Sequence, residues 1–190
     1  KVDARKVKCI LDPESNLSES ASTLDPALNT IASNNGCGEW ERVTGQMPSY
    51  EFVFQALLEE NSLYLYCGHG GGEKVFSRPE VEELMSIRDD GIRGCRAAIV
   101  LMGCSSGKLQ SINTPKENPF GRAYAMHYEP EGIAASYLFA GAPCVVGNLW
   151  DVTDRDIDRY CLTLMEDFVQ CQADSSLSIA KCVANARKAC

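Results

Sequence analysis

Four short runs of the chain are almost wholly apolar: Val7-Lys8-Cys9-Ile10-Leu11, Leu63 to Cys67, Ala97 to Met102 and Cys144 to Asn148. Runs this short and continuous predict strands buried on both faces, as in a parallel sheet. Between and after them, apolar residues recur at helical spacing. Ser49 is placed to cap a helix carrying Phe52, Val53, Ala56 and Leu57. Val81, Leu84 and Met85 mark a shorter helix. Ala134, Ala135, Tyr137 and Leu138 mark another, closed by Gly141 with Pro143 beyond. Ile157, Tyr160, Cys161, Leu164 and Phe168 form a clear stripe, and Leu177, Ala180, Val183, Ala184 and Arg187 form the last. Asp12-Pro13-Glu14-Ser15 reads as a turn closing the first strand. Two stretches read as exposed loops: residues 18–35, rich in Ser, Asn and Thr, and residues 110–119, with two Pro. Strands alternating with helices predict an α/β, three-layer sandwich, a mostly parallel sheet with helices on both faces, spanning residues 1–190 as one domain.

Composition narrows the function classes. The net charge of −8 argues against a nucleic-acid surface, which needs clustered Lys and Arg. No apolar stretch is long enough to span a membrane, and Lys1 to Lys6 lack the apolar run of a signal peptide. The chain does not begin with Met, which raises the expectation of a fragment of a longer protein. Its 10 cysteines form no C-x-x-C pair and no Cys/His cluster with ligand spacing, so neither a metal nor another cofactor is expected. They read mostly as buried thiols in a reducing compartment, cytosol or nucleus.

The chemistry-bearing residues follow three of the strands. After the second comes Gly68-His69-Gly70-Gly71-Gly72; after the third, Gly103-Cys104-Ser105-Ser106-Gly107; after the fourth, Leu149-Trp150-Asp151. In a parallel sheet these turns converge on one edge, where ligands gather. A Cys beside a His is a nucleophile beside its base. Cys104 and His69 are therefore the candidate dyad, with the amides of Gly70 and Cys104 as candidate oxyanion donors. Each residue alone also fits a structural role at a strand end; the pairing in two glycine-rich turns favours catalysis.

The same residues suit a rival reading. His69-Gly70-Gly71-Gly72 matches an esterase oxyanion loop, and Gly103 to Gly107 fits G-x-S-x-G with Ser105 as nucleophile. That fold needs an acid and then a His after the serine. Only His127 follows, 127 − 105 = 22 residues on, too close for the intervening strands.

The runs Leu63 to Gly70, Leu101 to Gly107 and Gly147 to Asp158, with Gly38-Glu39-Trp40 to Pro48 ahead of a helix, closely resemble the catalytic domain of the separase family. The resemblance implies a caspase-like fold and an endopeptidase whose His corresponds to His69 and Cys to Cys104. It further implies cleavage after Arg in the kleisin subunit of cohesin, a securin-like inhibitor, and residence in cytoplasm and nucleus. An Arg-specific site needs a carboxylate, and Asp151 is the first candidate, Asp154 the second, beside Trp150. Helix capping by Thr153 or Asp151, and core packing of Trp150, are their structural alternatives. Two other functions remain open: an inactive caspase-like scaffold, and a CHAT-type caspase-like protease. Glu39 to Arg42 fits an E-x-x-R cleavage pattern, too short to imply self-cleavage, and Asn16-Leu17-Ser18 is a glycosylation sequon without meaning in the cytosol. After Cys190 one more strand would be expected to complete the sheet.

Overall fold

The computed structural model describes residues 2–86, 88–89, 92–111, 130–171 and 178–190. In chain order the strands are β1 (Val7–Leu11), β2 (Glu41–Thr44), β3 (Leu63–Cys67), β4 (Arg88–Asp89), β5 (Ile92–Arg93), β6 (Ala98–Met102), β7 (Gln110–Ser111), β8 (Pro130–Glu131) and β9 (Val145–Val146). The helices are α1 (Ser18–Asn34), α2 (Tyr50–Leu58), α3 (Arg78–Glu83), α4 (Ile133–Phe139), α5 (Asp154–Gln170) and α6 (Ile179–Ala186). Five strands form one parallel sheet in the order β2-β1-β3-β6-β9. The other four pair as two small antiparallel ribbons, β4 with β5 and β7 with β8.

Alternation along the central strands sorts side chains into two cores. Val7, Cys9, Leu11, Leu63, Leu65, Cys67, Val100 and Met102 pack with α1, α5 and α6. Ile10, Tyr64, Tyr66, Ile99 and Leu101 pack with α2, α3 and α4. Burying each large aliphatic side chain contributes about 1.5–3 kcal/mol, which explains why β1, β3 and β6 are buried throughout.

The predicted architecture stands, with Ser49 accepting from the Phe52 amide at the start of α2 and Gly141 at φ 103° beyond α4. The last strand shortens to Val145–Val146. One expectation is corrected: residues 18–35 are not an exposed loop. They form α1, because Leu24, Leu28, Ile31 and Ala32 make a buried stripe at helical spacing beneath a polar outer face. Pro26 inside α1 lies on that exposed face. Of the expected insertion at 110–119, Gln110–Ser111 is strand β7; the remainder, like His127 and Leu177, lies outside the described residues. The segment after Gly38 supplies the edge strand β2, anchored by buried Trp40, whose indole donates to the Ala4 carbonyl at 2.8 Å. Arg42 of the E-x-x-R match is held in that strand by Asp25 at 3.0 Å.

Among the described residues no helix is long and apolar enough to cross a membrane.

Candidate active site

The register of the sheet brings the chemistry together. Leu11 pairs with Cys67 and Cys67 with Met102, so β1, β3 and β6 end at one level. His69 and Cys104 each lie two residues beyond that level, on hydrogen-bonded neighbours spaced about 4.8 Å apart. The chain leaves β1 for α1 on one face and leaves β3 for α3 on the other. Such a divergence opens a crevice at the carboxyl ends of adjacent strands.

Glycines let the turns touch. A Cβ on Gly103 would stand 2.1 Å from the Gly70 carbonyl oxygen and 2.4 Å from that of Gly68. The His and Cys turns therefore meet backbone to backbone. Gly107 and Gly147 meet in the same way, each Cβ position 2.9 Å from backbone of the other. Beneath the His turn, the Tyr66 hydroxyl donates to the His69 carbonyl at 2.8 Å. Its ring fills the space a Cβ on Gly68 would need, leaving 2.5 Å to the Tyr66 hydroxyl.

The Cys104 turn is laced to the segment after β9. The Gly107 amide donates to the Asn148 carbonyl at 2.8 Å, and the Asn148 side-chain amide donates to the Gly103 carbonyl at 3.1 Å. Buried Ser106 donates to the Leu101 carbonyl and accepts from the Asn148 amide. Ser105, held at φ 55°, donates from its hydroxyl to Asp151 Oδ1 at 2.6 Å and from its amide to the Trp150 carbonyl at 3.1 Å. The half-buried Cys104 thiol donates to the Val152 carbonyl at 3.2 Å. His69 is exposed, and its Nε2 meets Asn16 Oδ1 at 3.0 Å.

Cys104 and His69 line one narrow pocket, walled on the α1/α5 side by Asp12, Ser20, Asp154 and Asp158. Asp154 is exposed and Asp158 half-buried. Burial first, and then the charge of Asp154, push the Asp158 carboxyl above the usual carboxylate range, while a hydrogen bond from Ser20 acts the other way. Asp151 and Trp150 do not line this pocket. Asp151 is engaged by Ser105, and the exposed Trp150 borders a neighbouring groove with Thr153, Tyr160 and Val183. Thr153, not Asp151, caps α5: its Oγ1 accepts from the Asp156 amide at 3.2 Å and donates to the Asp156 carboxylate at 2.7 Å.

Sequence reasoning missed Asn16, Tyr66 and Asp158. Tyr66 carries no signal beyond its place in an apolar run. Asn16 was visible only as part of a sequon. Asp158 lies four residues after Asp154 and so shares its helix face.

Comparison with known proteins shows the family of the chain. The family model for the separin protease domain matches residues 1–157. The separin of Mus musculus is 38% identical over 168 residues, 88% of this chain but 7% of its own length. The Saccharomyces cerevisiae separin is 30% identical over 189 residues, 97% of this chain and 10% of its own. The crystal structure of the Saccharomyces cerevisiae separase–securin complex superposes with a TM-score of 0.71 at 30% identity, over 97% of this chain and 11% of that one. The chain thus spans about a tenth or less of those relatives' length, in the region where both strand-end turns lie, and it belongs to the separin protease-domain family.

Proposed function

We propose that this chain is a cysteine endopeptidase domain that cuts after arginine, with Cys104 as nucleophile and His69 as base. The observation that carries the reading is the backbone contact of the two turns through Gly103, which holds a thiol and an imidazole in one pocket at the carboxyl edge of the sheet. His69 takes the proton of Cys104 as sulfur attacks the scissile carbonyl carbon. The resulting oxyanion sits against the amides of Gly70, turned by its φ of 59°, and of Cys104. Collapse breaks the C–N bond, and the leaving amine receives the proton back from His69. Water, deprotonated by His69, then cleaves the thioester and frees the thiol.

The arginine side chain enters beside Asp154 and Asp158, the carboxylates that share the pocket with the dyad. A buried guanidinium needs such a partner. Asp151 instead braces the nucleophile turn through Ser105. By kinship with the separases, the substrate is the kleisin subunit of cohesin and the setting is the cytoplasm and nucleus. A securin-like inhibitor covers the cleft, as suggested by the separase–securin complexes among the solved relatives.

The test is cleavage of a peptide ending in Arg by the protein at its natural full length. Cys104→Ser abolishes turnover and leaves folding intact, whereas Ser105→Ala keeps most of it. Activity that survives in Cys104→Ser and vanishes in Ser105→Ala refutes the assignment in favour of a serine hydrolase.

A further inference from the structure

The bond from His69 to Asn16 has no place in the two-residue chemistry above, yet the chain is built to make it. Asn16 follows β1 in a tight turn. Asp12, buried and held at φ 47°, donates from its amide to the Cys67 carbonyl at 2.8 Å. Its carboxylate accepts the Asn16 amide at 2.9 Å, and its carbonyl accepts the Ser15 amide at 3.1 Å. Ser15 in turn donates to the Gly45 carbonyl at 2.6 Å. The turn is thus stitched to the end of β3 and to the segment after β2. From it the Asn16 side chain reaches His69 Nε2 at 3.0 Å.

We infer that Asn16 is the positioning residue of the dyad, a neutral acceptor that fixes the tautomer and the plane of the His69 ring. The inference rests on the Cys104–His69 reading. A carboxamide oxygen accepting at Nε2 keeps the proton there and leaves the lone pair on Nδ1, the nitrogen free to take the thiol proton. A ring with its proton on the wrong nitrogen cannot serve as base, which is how a misassigned tautomer costs a serine protease its rate. The neutral amide orients the ring without adding charge. His69 already shares its surroundings with carboxyl groups on several elements: Asp12 after β1, Asp154 and Asp158 on α5, and Glu73 in its own turn, with the Cys104 thiol after β6. One more anion would stabilise the imidazolium and leave less of the ring unprotonated, and so able to take a proton, near neutral pH. Exposure of Asn16 and His69 to water keeps the bond weak. A bound peptide excludes water and strengthens it when the reaction needs it.

The experiment compares Asn16→Ala and Asn16→Asp in the protein at its natural full length, cutting a peptide that ends in Arg, across pH. Asn16→Ala lowers kcat roughly tenfold to a hundredfold with KM within about twofold, since orientation acts on the chemical step. Asn16→Asp keeps the acceptor. It restores kcat at its optimum to within about threefold of the parent and moves the acidic limb of the profile up by roughly one pH unit, because the carboxylate favours the imidazolium. The rescue shows that the loss in Asn16→Ala is not misfolding. An Asn16→Ala enzyme with unchanged kcat and an unmoved limb overturns the inference, as does an Asn16→Asp enzyme no faster than Asn16→Ala. Cys104→Ser runs alongside: if it stays active, the dyad itself falls, whereas an inactive Cys104→Ser with a fully active Asn16→Ala refutes only the role of Asn16.

Discussion

Substitutions at Asp151, Asp154 and Asp158 separate the proposed substrate pocket from the scaffold. Asp154 and Asp158 line the cleft of Cys104 and His69; Asp151 holds the Ser105 hydroxyl outside it. Asp154 is exposed, so its partnership with an arginine is worth the roughly 0.2–1 kcal/mol of a surface pair. Asp154→Asn should therefore lower kcat/KM for an Arg peptide by at most about fivefold. Asp158 is half-buried, and a charge-assisted hydrogen bond there is worth about 1.5–3 kcal/mol. Asp158→Asn should cost roughly tenfold or more, with no effect on a peptide ending in Leu. Stability moves the other way. An acid whose pKa is raised on folding adds stability only below its ordinary pKa and loses it as pH rises through the raised value. At neutral pH Asp158→Asn is thus as stable as the parent or more so, its Tm rising at pH 7 and not at pH 3. Asp151→Ala should affect Arg and Leu peptides alike and only modestly, to the same extent as Ser105→Ala, because each removes the one hydrogen bond between Asp151 and the Cys104 turn. Steady-state kinetics on the two peptides and thermal melts at two pH values decide the matter. An altered Arg-over-Leu preference in the Asp151 variant, with none in Asp154→Asn or Asp158→Asn, would refute the assignment.

Gly103→Ala introduces one methyl about 1 Å too close to two carbonyl oxygens that cannot swing away, so kcat falls by more than the loss of about 1–3 kcal/mol in urea unfolding explains. An active, fully stable variant would disprove the backbone contact. Leu28→Ala, in the fully buried stripe of α1, should cost about 2–5 kcal/mol of stability, and a cost near zero would restore the exposed-loop expectation for that segment. Burial pushes the thiols of Cys95 and Cys182 up to about 12 and pushes that of Cys9 up as well, while Cys67 is pushed up first by its hydrogen bond with Cys161 and then by burial. Iodoacetamide at pH 7.5 (roughly a unit below an ordinary thiol pKa) should leave these four unmodified in the folded protein, as mass mapping would show.

The strands that carry the site were legible because burial on both faces removes alternation and leaves continuous apolar runs. Helix α1 was not, since its buried residues are only Leu24, Leu28, Ile31 and Ala32 among Ser, Thr and Asn, with Pro26 in the middle. A proline costs an interior helix one hydrogen bond and is read as a breaker. Here Pro26 faces outward, and tertiary packing of the opposite stripe supplies what local propensity lacks. Strand β2 was hidden for a related reason. As an edge strand it carries charge, with Glu41 on Lys8 at 2.6 Å and Arg42 on Asp25, and charge is how an edge avoids pairing with other chains. The turn residues His69 and Cys104 stood out because glycines flank them. Asn16 did not, because its role depends on where the β1 turn lands in space.

The position of Asp158 was nonetheless written in the helical stripe of α5. Tyr160, Cys161, Leu164, Met165 and Phe168 are buried against the core that α5 shares with α1. Counting back from Cys161 by three and by seven residues reaches Asp158 and Asp154, which continue the same face one and two turns earlier. The stripe does not end where its apolar residues end. It runs on past the sheet and becomes the wall of the pocket, and there two carboxylates replace leucine and cysteine. Asp156 lies off that face, spent on Thr153 at the cap, and Asp151 precedes the helix altogether. His69 and Cys104 obey the matching rule on the strands. Cys67 and Met102 point into the α1/α5 core, and side chains repeat every two residues, so His69 and Cys104 carry that face beyond the sheet. A carboxylate at the start of α5 also gains from the helix dipole, which stabilises its charge. Cys104, His69, Asp154 and Asp158 therefore lie on one side of one sheet because each continues a buried stripe past its last apolar residue.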